Sequence, residues 1–285
     1  KINNLCEHLS KKHNVTVLTS YPNYPKGEIF PEFKKNQSKF ENYYNSKIIR
    51  VFQFQRKNGK PINLFFNYFS FLFFAFFKSF FLKKKFDLVL TFATSPIFVG
   101  LISILISKLN RAKSIIWVLD IWPEILKELN IIRSNFVIKI ISIISTFIYQ
   151  KHDIILTQSK SFKKIIEKKI KYKNKNNIVF FPSWPDELIL NTKKTKKILK
   201  KKTINFLYTG NIGKAQNFEN LVKAVELTKN SVNQKWYIVG DGRYKKKIIK
   251  MINEYNLKKY FNFYSFRSKK KLNKFFNLAH FCFLS

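Results

Sequence analysis

Ile204-Asn-Phe-Leu-Tyr-Thr-Gly-Asn-Ile-Gly-Lys-Ala-Gln216 is the stretch on which the reading of this chain turns. Ile204–Tyr208 is a short apolar and aromatic run, the pattern of a buried parallel strand. Gly210 and Gly213 make a turn after it, and a helix is expected from about Asn217 to Lys229. One unit further on the pattern repeats: strand Lys235–Val239, turn Gly240-Asp241-Gly242, and a helix to about Tyr255. A strand running through such a turn into a helix aims free amides and the helix dipole at one point, which suits an anion. Glycine lets backbone approach a phosphate with no Cβ in the way. Either glycine pair would equally serve a plain tight βα turn.

The rest of the chain alternates in the same way. Strands are expected at 15–19, 48–52, 87–92, 114–119, 153–157 and 177–181. Helices are expected at 2–12, 62–82, from Pro96 through Leu109, at 135–150 and at 161–169, the last capped by Ser159. Downstream come strands 261–264 and 281–284 around a short helix at 272–278. Such alternation predicts an α/β protein with mainly parallel sheets and helices on both faces. Residues 191–202 are almost pure Lys, Thr, Ile and Leu and read as a basic linker. The expected domains are 1–190 and 203–285. The chain starts at Lys1 within an expected helix and ends on an expected strand, so a piece of a longer protein is anticipated.

The chain has 285 residues and a net charge of +38, a balance that suits nucleic acid or an anionic membrane. Its lysines, however, are scattered through every segment, and Lys, Asn, Ile and Phe abound together, as AT-rich codons would produce. A nucleic-acid binder concentrates charge on one face among exposed aromatics. Cys6 and Cys282 lie in apolar segments and read as small core residues, weakly favouring a reducing compartment. The four histidines show no metal-ligand spacing, so no metal is expected.

Three further segments carry candidate chemistry. Asp120-Ile-Trp-Pro-Glu124 follows a hydrophobic strand, which sets Asp120 at the carboxyl end of a sheet, where a carboxylate can accept a proton or orient a hydroxyl. Asp120 would equally cap the helix that Pro123 opens, with Glu124 in its first turn. Tyr21-Pro-Asn-Tyr-Pro-Lys-Gly27 is an aromatic loop that can stack on a sugar ring or simply pack. Residues 62–82 are crowded with Phe and approach the length of a membrane span. Asn63, Asn67, Ser70, Lys78 and Ser79 interrupt them. A half-buried helix dipping its outer aromatic face into a membrane surface, anchored by Lys83–Lys85, and an ordinary core helix are both compatible readings; a true span ranks below them.

Taken in order, these motifs resemble glycosyltransferase family 4, closest to the branch adding N-acetylated deoxy-amino sugars to lipid-linked O-antigen and capsule units. The resemblance rests on Leu18–Gly27, Asp120–Glu124, Ser183-Trp184, Tyr208–Gln216 and Val239–Gly242. It implies a GT-B fold, two Rossmann-like domains facing across a cleft, and retaining, metal-independent transfer. It implies Asp120 and Glu124 as catalytic residues. Donor contacts would come from Gly210, Asn211, Ile212, Gly213, Lys214, Gln216, Gly240, Asp241, Gly242 and Arg267. Acceptor contacts would come from Tyr21, Asn23, Tyr24 and Trp122. Many members carry Arg and Lys in the diphosphate loop, where this chain has Asn211 and Gln216; Lys214 is then the candidate cation.

The function expected is transfer of a hexosyl or N-acetylaminosugar unit from a nucleotide sugar, UDP-linked and a substrate rather than a cofactor. The acceptor would be a polyprenyl-diphosphate-linked saccharide at the cytoplasmic face of a bacterial membrane. A non-catalytic membrane-associated transferase fragment is the alternative, followed by a basic nucleic-acid-binding protein; no specific nucleic acid is expected as a partner of the enzyme.

Overall fold

The computed structural model describes residues 2–23, 27–35, 41–57, 59–82, 86–128, 130–170, 177–184 and 203–284. The chain divides into two compact units, Lys1–Trp184 and Pro185–Ser285. The anticipated linker 191–202 lies outside the described residues.

The first unit runs α1 (Ile2–Ser10), β1 (Thr16–Ser20), α2 (Pro31–Lys35), β2 (Asn42–Tyr43), β3 (Ser46–Val51), α3 (Pro61–Phe80), β4 (Leu88–Ala93) and α4 (Val99–Asn110). It continues through β5 (Lys113–Val118), α5 (Glu124–Glu128), α6 (Asn135–Lys151), β6 (Ile154–Thr157), α7 (Lys160–Lys169) and β7 (Ile178–Phe180). The strands form two sheets. β4-β5-β6-β7 is wholly parallel, while β1-β3-β2 pairs β1 with β3 in parallel and adds β2 as an antiparallel edge. β2 is two residues long, too short for any periodicity to announce. Pro96 does not open a helix: it follows a cis Ser95–Pro96 bond in the turn ahead of α4. Ser159 does cap α7, its hydroxyl accepting the Phe162 amide at 3.1 Å.

β5 is the buried centre of this unit. Ile116, Trp117 and Val118 are all fully enclosed, and the Trp117 ring stacks on Trp184 at 5.5 Å. The Trp184 Nε1 donates to Asn4 Oδ1 at 2.8 Å, tying the end of the unit to its first helix. Cys6 is buried as expected. His152, after α6, is buried with its ring bonded to the Ile148 carbonyl at 2.7 Å and to Ser103 Oγ at 2.9 Å. Burial disfavours its charged form and holds its pKa below the ordinary histidine value.

α3 packs on α4, with Ala75 in one cluster with Ile102, Ile106 and Val51. It is long and apolar enough to cross a membrane, yet its inner side is fastened to the protein by polar groups. Asn67, Ser70, Ala75 and Ser79 are its buried residues and Phe71 and Leu72 pack beside Ala75, while its other phenylalanines face outward. Three of the residues that interrupt the apolar run, Asn67, Ser70 and Ser79, thus lie on its docked side, whereas Lys78 is exposed.

The second unit runs β8 (Ile204–Thr209), a single 3₁₀ turn at Lys214–Gln216, α8 (Phe218–Thr228), β9 (Gln234–Val239), α9 (Lys245–Glu254), β10 (Phe261–Tyr264), α10 (Lys269–Leu278) and β11 (Phe281–Cys282). Its four-stranded sheet, ordered β10-β9-β8-β11, is entirely parallel. α8 buries Phe218, Leu221, Val222 and Val225 in a core with Trp236 and Ile238. Phe206 stacks on Trp236 at 4.3 Å. Cys282 departs from expectation: it lies exposed on the edge strand β11.

Candidate functional site

In the second unit the two glycine turns leave adjacent parallel strands at their carboxyl ends, because β8 and β9 run in register from Ile204↔Gln234 to Thr209↔Val239. The turns then interlock. The Gly210 amide donates to the Val239 carbonyl at 3.1 Å, and Ile212 donates to Asp241 O at 2.9 Å. Tyr244 donates back to Ile212 O at 3.1 Å, and Gly240 donates to Tyr264 O at 3.0 Å on the next strand. A Cβ on Gly240 would lie 1.8 Å from the Gly210 carbonyl oxygen, and one on Gly242 would lie 2.2 Å from that of Ile212. These two glycines are therefore required by the neighbouring turn. Their place is in building the site, ahead of any approach by a phosphate.

Ile212 is likewise an anchor. Its side chain is fully buried among Tyr208, Phe218 and Ile248, and both its peptide groups are bonded within the paired turns. That leaves it no side-chain contact to offer a donor. Asn211 and Lys214 are exposed and Arg267 is half-buried in the segment after β10. The Tyr208 hydroxyl donates to Asn211 O at 2.6 Å and so supports the turn from beneath. Gln216 Oε1 accepts the Gly213 amide at 3.0 Å and approaches Asn211 Nδ2 at 3.4 Å. It thereby stands where an incoming anionic oxygen would find the same donors. Asp241 is exposed; its Oδ1 accepts from the Gly242 amide at 2.8 Å and lies 3.8 Å from Lys245 Nζ.

In the first unit the register Ala93↔Val118 sets β4 and β5 side by side, so the residues two past each strand end meet. They are Ser95 and Asp120. The Ser95 hydroxyl donates to Asp120 Oδ2 at 2.7 Å and accepts from Trp122 Nε1 at 3.2 Å. Asp120 is half-buried, with its second oxygen in no hydrogen bond among the described residues. Trp122, expected as an acceptor platform, is a core residue, 7% exposed and edge-on to Phe98 at 5.5 Å. Its indole N–H holds the Ser95 hydroxyl in place. Glu124 begins α5, as expected, but its Oε1 is paired with Lys169 Nζ at 2.8 Å. That pairing fixes α5 to α7 and gives Glu124 a structural occupation.

The aromatic loop after β1 divides in the same manner. Tyr21 is half-buried beneath the Arg50 guanidinium, 5.5 Å from its ring centre, and Arg50 also donates to Ser20 O at 2.8 Å. Asn23 is 6% exposed, so its side chain packs in the loop. Gly27 has φ +85, and a Cβ there would lie 1.9 Å from the Lys57 carbonyl oxygen. Tyr24 lies outside the described residues. Ser95 is the residue that sequence reasoning missed. Its only local signal, Ser-Pro, reads as the start of a helix.

Residues 190–285 match the family model for glycosyl transferases group 1. No curated protein matches the chain. Among solved structures, sucrose-phosphate synthase from Thermosynechococcus elongatus is similar at 15% identity and a TM-score of 0.65, over 99% of this chain and 68% of that one. The Anabaena protein HepE, solved with UDP and glucose, is similar at 10% identity and a TM-score of 0.57, over 95% of this chain and 73% of that one. These likenesses show the fold: the chain has the α/β GT-B architecture. The group 1 match, which falls on the second unit, together with that fold supports a place in the GT-B glycosyltransferase superfamily.

Proposed function

We propose that the chain is a retaining, metal-independent glycosyltransferase of the family 4 type. It would move a hexosyl or N-acetylaminosugar unit from a UDP-sugar to a polyprenyl-diphosphate-linked saccharide during assembly of a bacterial O-antigen or capsule. It would act peripherally on the cytoplasmic face of the membrane. The observation that carries the reading is the interlocked pair of glycine turns at the carboxyl ends of β8 and β9, within the segment that matches group 1 transferases. Open α/β sheets bind ligands at such ends. HepE, solved with UDP and glucose, supports a UDP-linked donor.

In this reading the turn Asn211–Gly213 receives the diphosphate once the Gln216 oxygen gives way, with Lys214 and Arg267 as the basic groups beside it. Fixed amides and cations there would stabilise the charge that builds on the leaving diphosphate. Gly210, Ile212, Gly240, Asp241 and Gly242 hold the turn in shape. Asp120 orients the attacking acceptor hydroxyl with the oxygen that Ser95 does not engage. Tyr21, Asn23 and Tyr24 remain the acceptor-side loop.

The test is radiolabelled transfer from UDP-sugars to a polyprenyl-diphosphate saccharide, comparing wild type with Asp120→Asn, with and without EDTA. The expected result is transfer insensitive to EDTA, with kcat lowered about 100-fold or more in the variant and donor affinity unchanged. Unchanged kcat would remove Asp120 from the mechanism, and loss of activity in EDTA would remove the metal-independent reading.

A further inference from the structure

α3 inverts the usual arrangement of a surface helix. A helix lying on a sheet ordinarily turns its apolar stripe inward and its polar residues to water. Here Asn67 Nδ2 donates to the Phe54 carbonyl, Gln53 Nε2 donates to Asn67 Oδ1 at 3.2 Å, and the Phe54 amide donates to Ser70 Oγ at 2.9 Å. The polar stripe thus fixes the helix to the segment after β3. The opposite side carries Phe65, Phe69, Phe73 and Phe77, which are 59%, 55%, 46% and 49% exposed. Their rings follow one another along the axis with centroid spacings of 5.9, 6.2 and 4.9 Å. Phe52 and Phe54, themselves half exposed, extend the patch sideways through ring contacts at 5.2 Å with Phe74 and 6.3 Å with Phe66.

A helix of 20 residues is about 30 Å long. A contiguous exposed apolar patch of this kind marks a protein or membrane interaction site. Charge selects the occupant. From Asn42 to Phe86 the sequence has nine Lys and Arg and no Asp or Glu. Lys57, Lys60 and Lys78 are exposed around the patch. A second copy of this chain would bring another +38 against the same face and be repelled, whereas an anionic surface is attracted.

We infer that the outward face of α3, with Phe52 and Phe54, is the surface by which the protein lies in the headgroup region of an anionic lipid bilayer, its axis in the membrane plane. A helix with aromatic groups on one side and only cationic charge around it has the composition of such interfacial elements. The inference deepens the membrane reading proposed above and rests on it for its purpose, but its test needs no transferase activity.

The test is flotation of the full chain with vesicles of phosphatidylglycerol and phosphatidylethanolamine, beside vesicles of phosphatidylcholine alone, at low and moderate salt. The wild type should float with the anionic vesicles and keep a salt-resistant fraction, because the aromatic part of the binding is not screened. Phe69→Ser/Phe73→Ser/Phe77→Ser should lower that partition at least about tenfold while its melting curve stays cooperative. If that variant fails to fold, Phe73→Cys in a Cys282→Ser background, carrying an environment-sensitive dye, gives a second readout. Its emission should shift blue on adding anionic vesicles. Equal flotation of the triple variant, or an unshifted dye, would overturn the inference by showing that scattered lysines alone bind lipid. Self-association abolished by the triple variant, with no change in flotation, would overturn it by making α3 a protein interface. Flotation without sugar transfer would leave α3 as assigned and count only against the proposed reaction.

Discussion

α3 and α8 each follow a strand of a parallel ladder and each pack on their own unit, but they are built in opposite senses. α8 places Phe218, Leu221, Val222 and Val225 inward. α3 places Asn67, Ser70, Ala75 and Ser79 inward and all its phenylalanines but Phe71 outward. For α8 the packing that holds the helix is apolar burial. For α3 it is hydrogen bonds to the Gln53–Phe54 segment together with a narrow apolar contact of Phe71, Leu72 and Ala75, which leaves most of its phenylalanines available to something outside the unit. Hydrophobic content therefore does not by itself report a core helix; the side that bonds to the protein does.

The largest effects should separate the two helices. Phe218→Ala should cost about 3–5 kcal/mol, since its ring is 2% exposed and sits edge-on to Tyr208 at 4.8 Å. Phe73→Ser should change stability by no more than about 0.5 kcal/mol in water. Urea unfolding of each variant checks the pair, and similar losses would break the contrast. Next comes Gly240→Ala. The added Cβ collides with a backbone oxygen, so about 1–3 kcal/mol of destabilisation is expected together with weaker nucleotide binding, read by urea unfolding and titration calorimetry. A silent substitution would show that the paired turns yield easily.

The smallest effect is a pH dependence confined to the first unit. His152 has a depressed folded-state pKa, so the unfolded chain binds its proton more readily. Its contribution to stability is complete above the ordinary value of 6.5 and declines as pH falls from there toward the folded value. Asp153, lowered chiefly by the Ser114 amide, begins to lose its contribution only below 3.8. Urea midpoints at pH 7.5 and 5.5 should therefore fall for the wild type and hold nearly level for His152→Leu. An equal fall in both would assign the slope elsewhere.

Much of this architecture was legible in the sequence. Short β-branched and aromatic runs alternating with helical stretches mark every strand except β2, because the centres of these parallel strands are apolar. The turns at Gly210–Gly213 and Gly240–Gly242 were legible as turns. Their interdependence was not, since it arises from the register of two strands 30 residues apart. The Ser95–Asp120 pair was hidden for the same reason: 25 positions separate the residues, and only the Ala93↔Val118 pairing brings them together. The resemblance implies Trp122 and Asn23 as acceptor contacts, and a motif match records residue type and not burial, which is nearly complete at both. In α3 the apolar run hides that Asn67, Ser70 and Ser79 share one side, the side that docks.

The most direct test of the central claim is a calorimetric titration of the chain with UDP, GDP and their sugar conjugates at moderate salt, beside inorganic polyphosphate. The account predicts saturable binding of the UDP compounds, little of the GDP compounds, and weaker binding in Gly240→Ala while the polyphosphate response persists. Equal heats from every polyanion, unaffected by Gly240→Ala, would contradict it and reduce phosphate binding to the charge of +38.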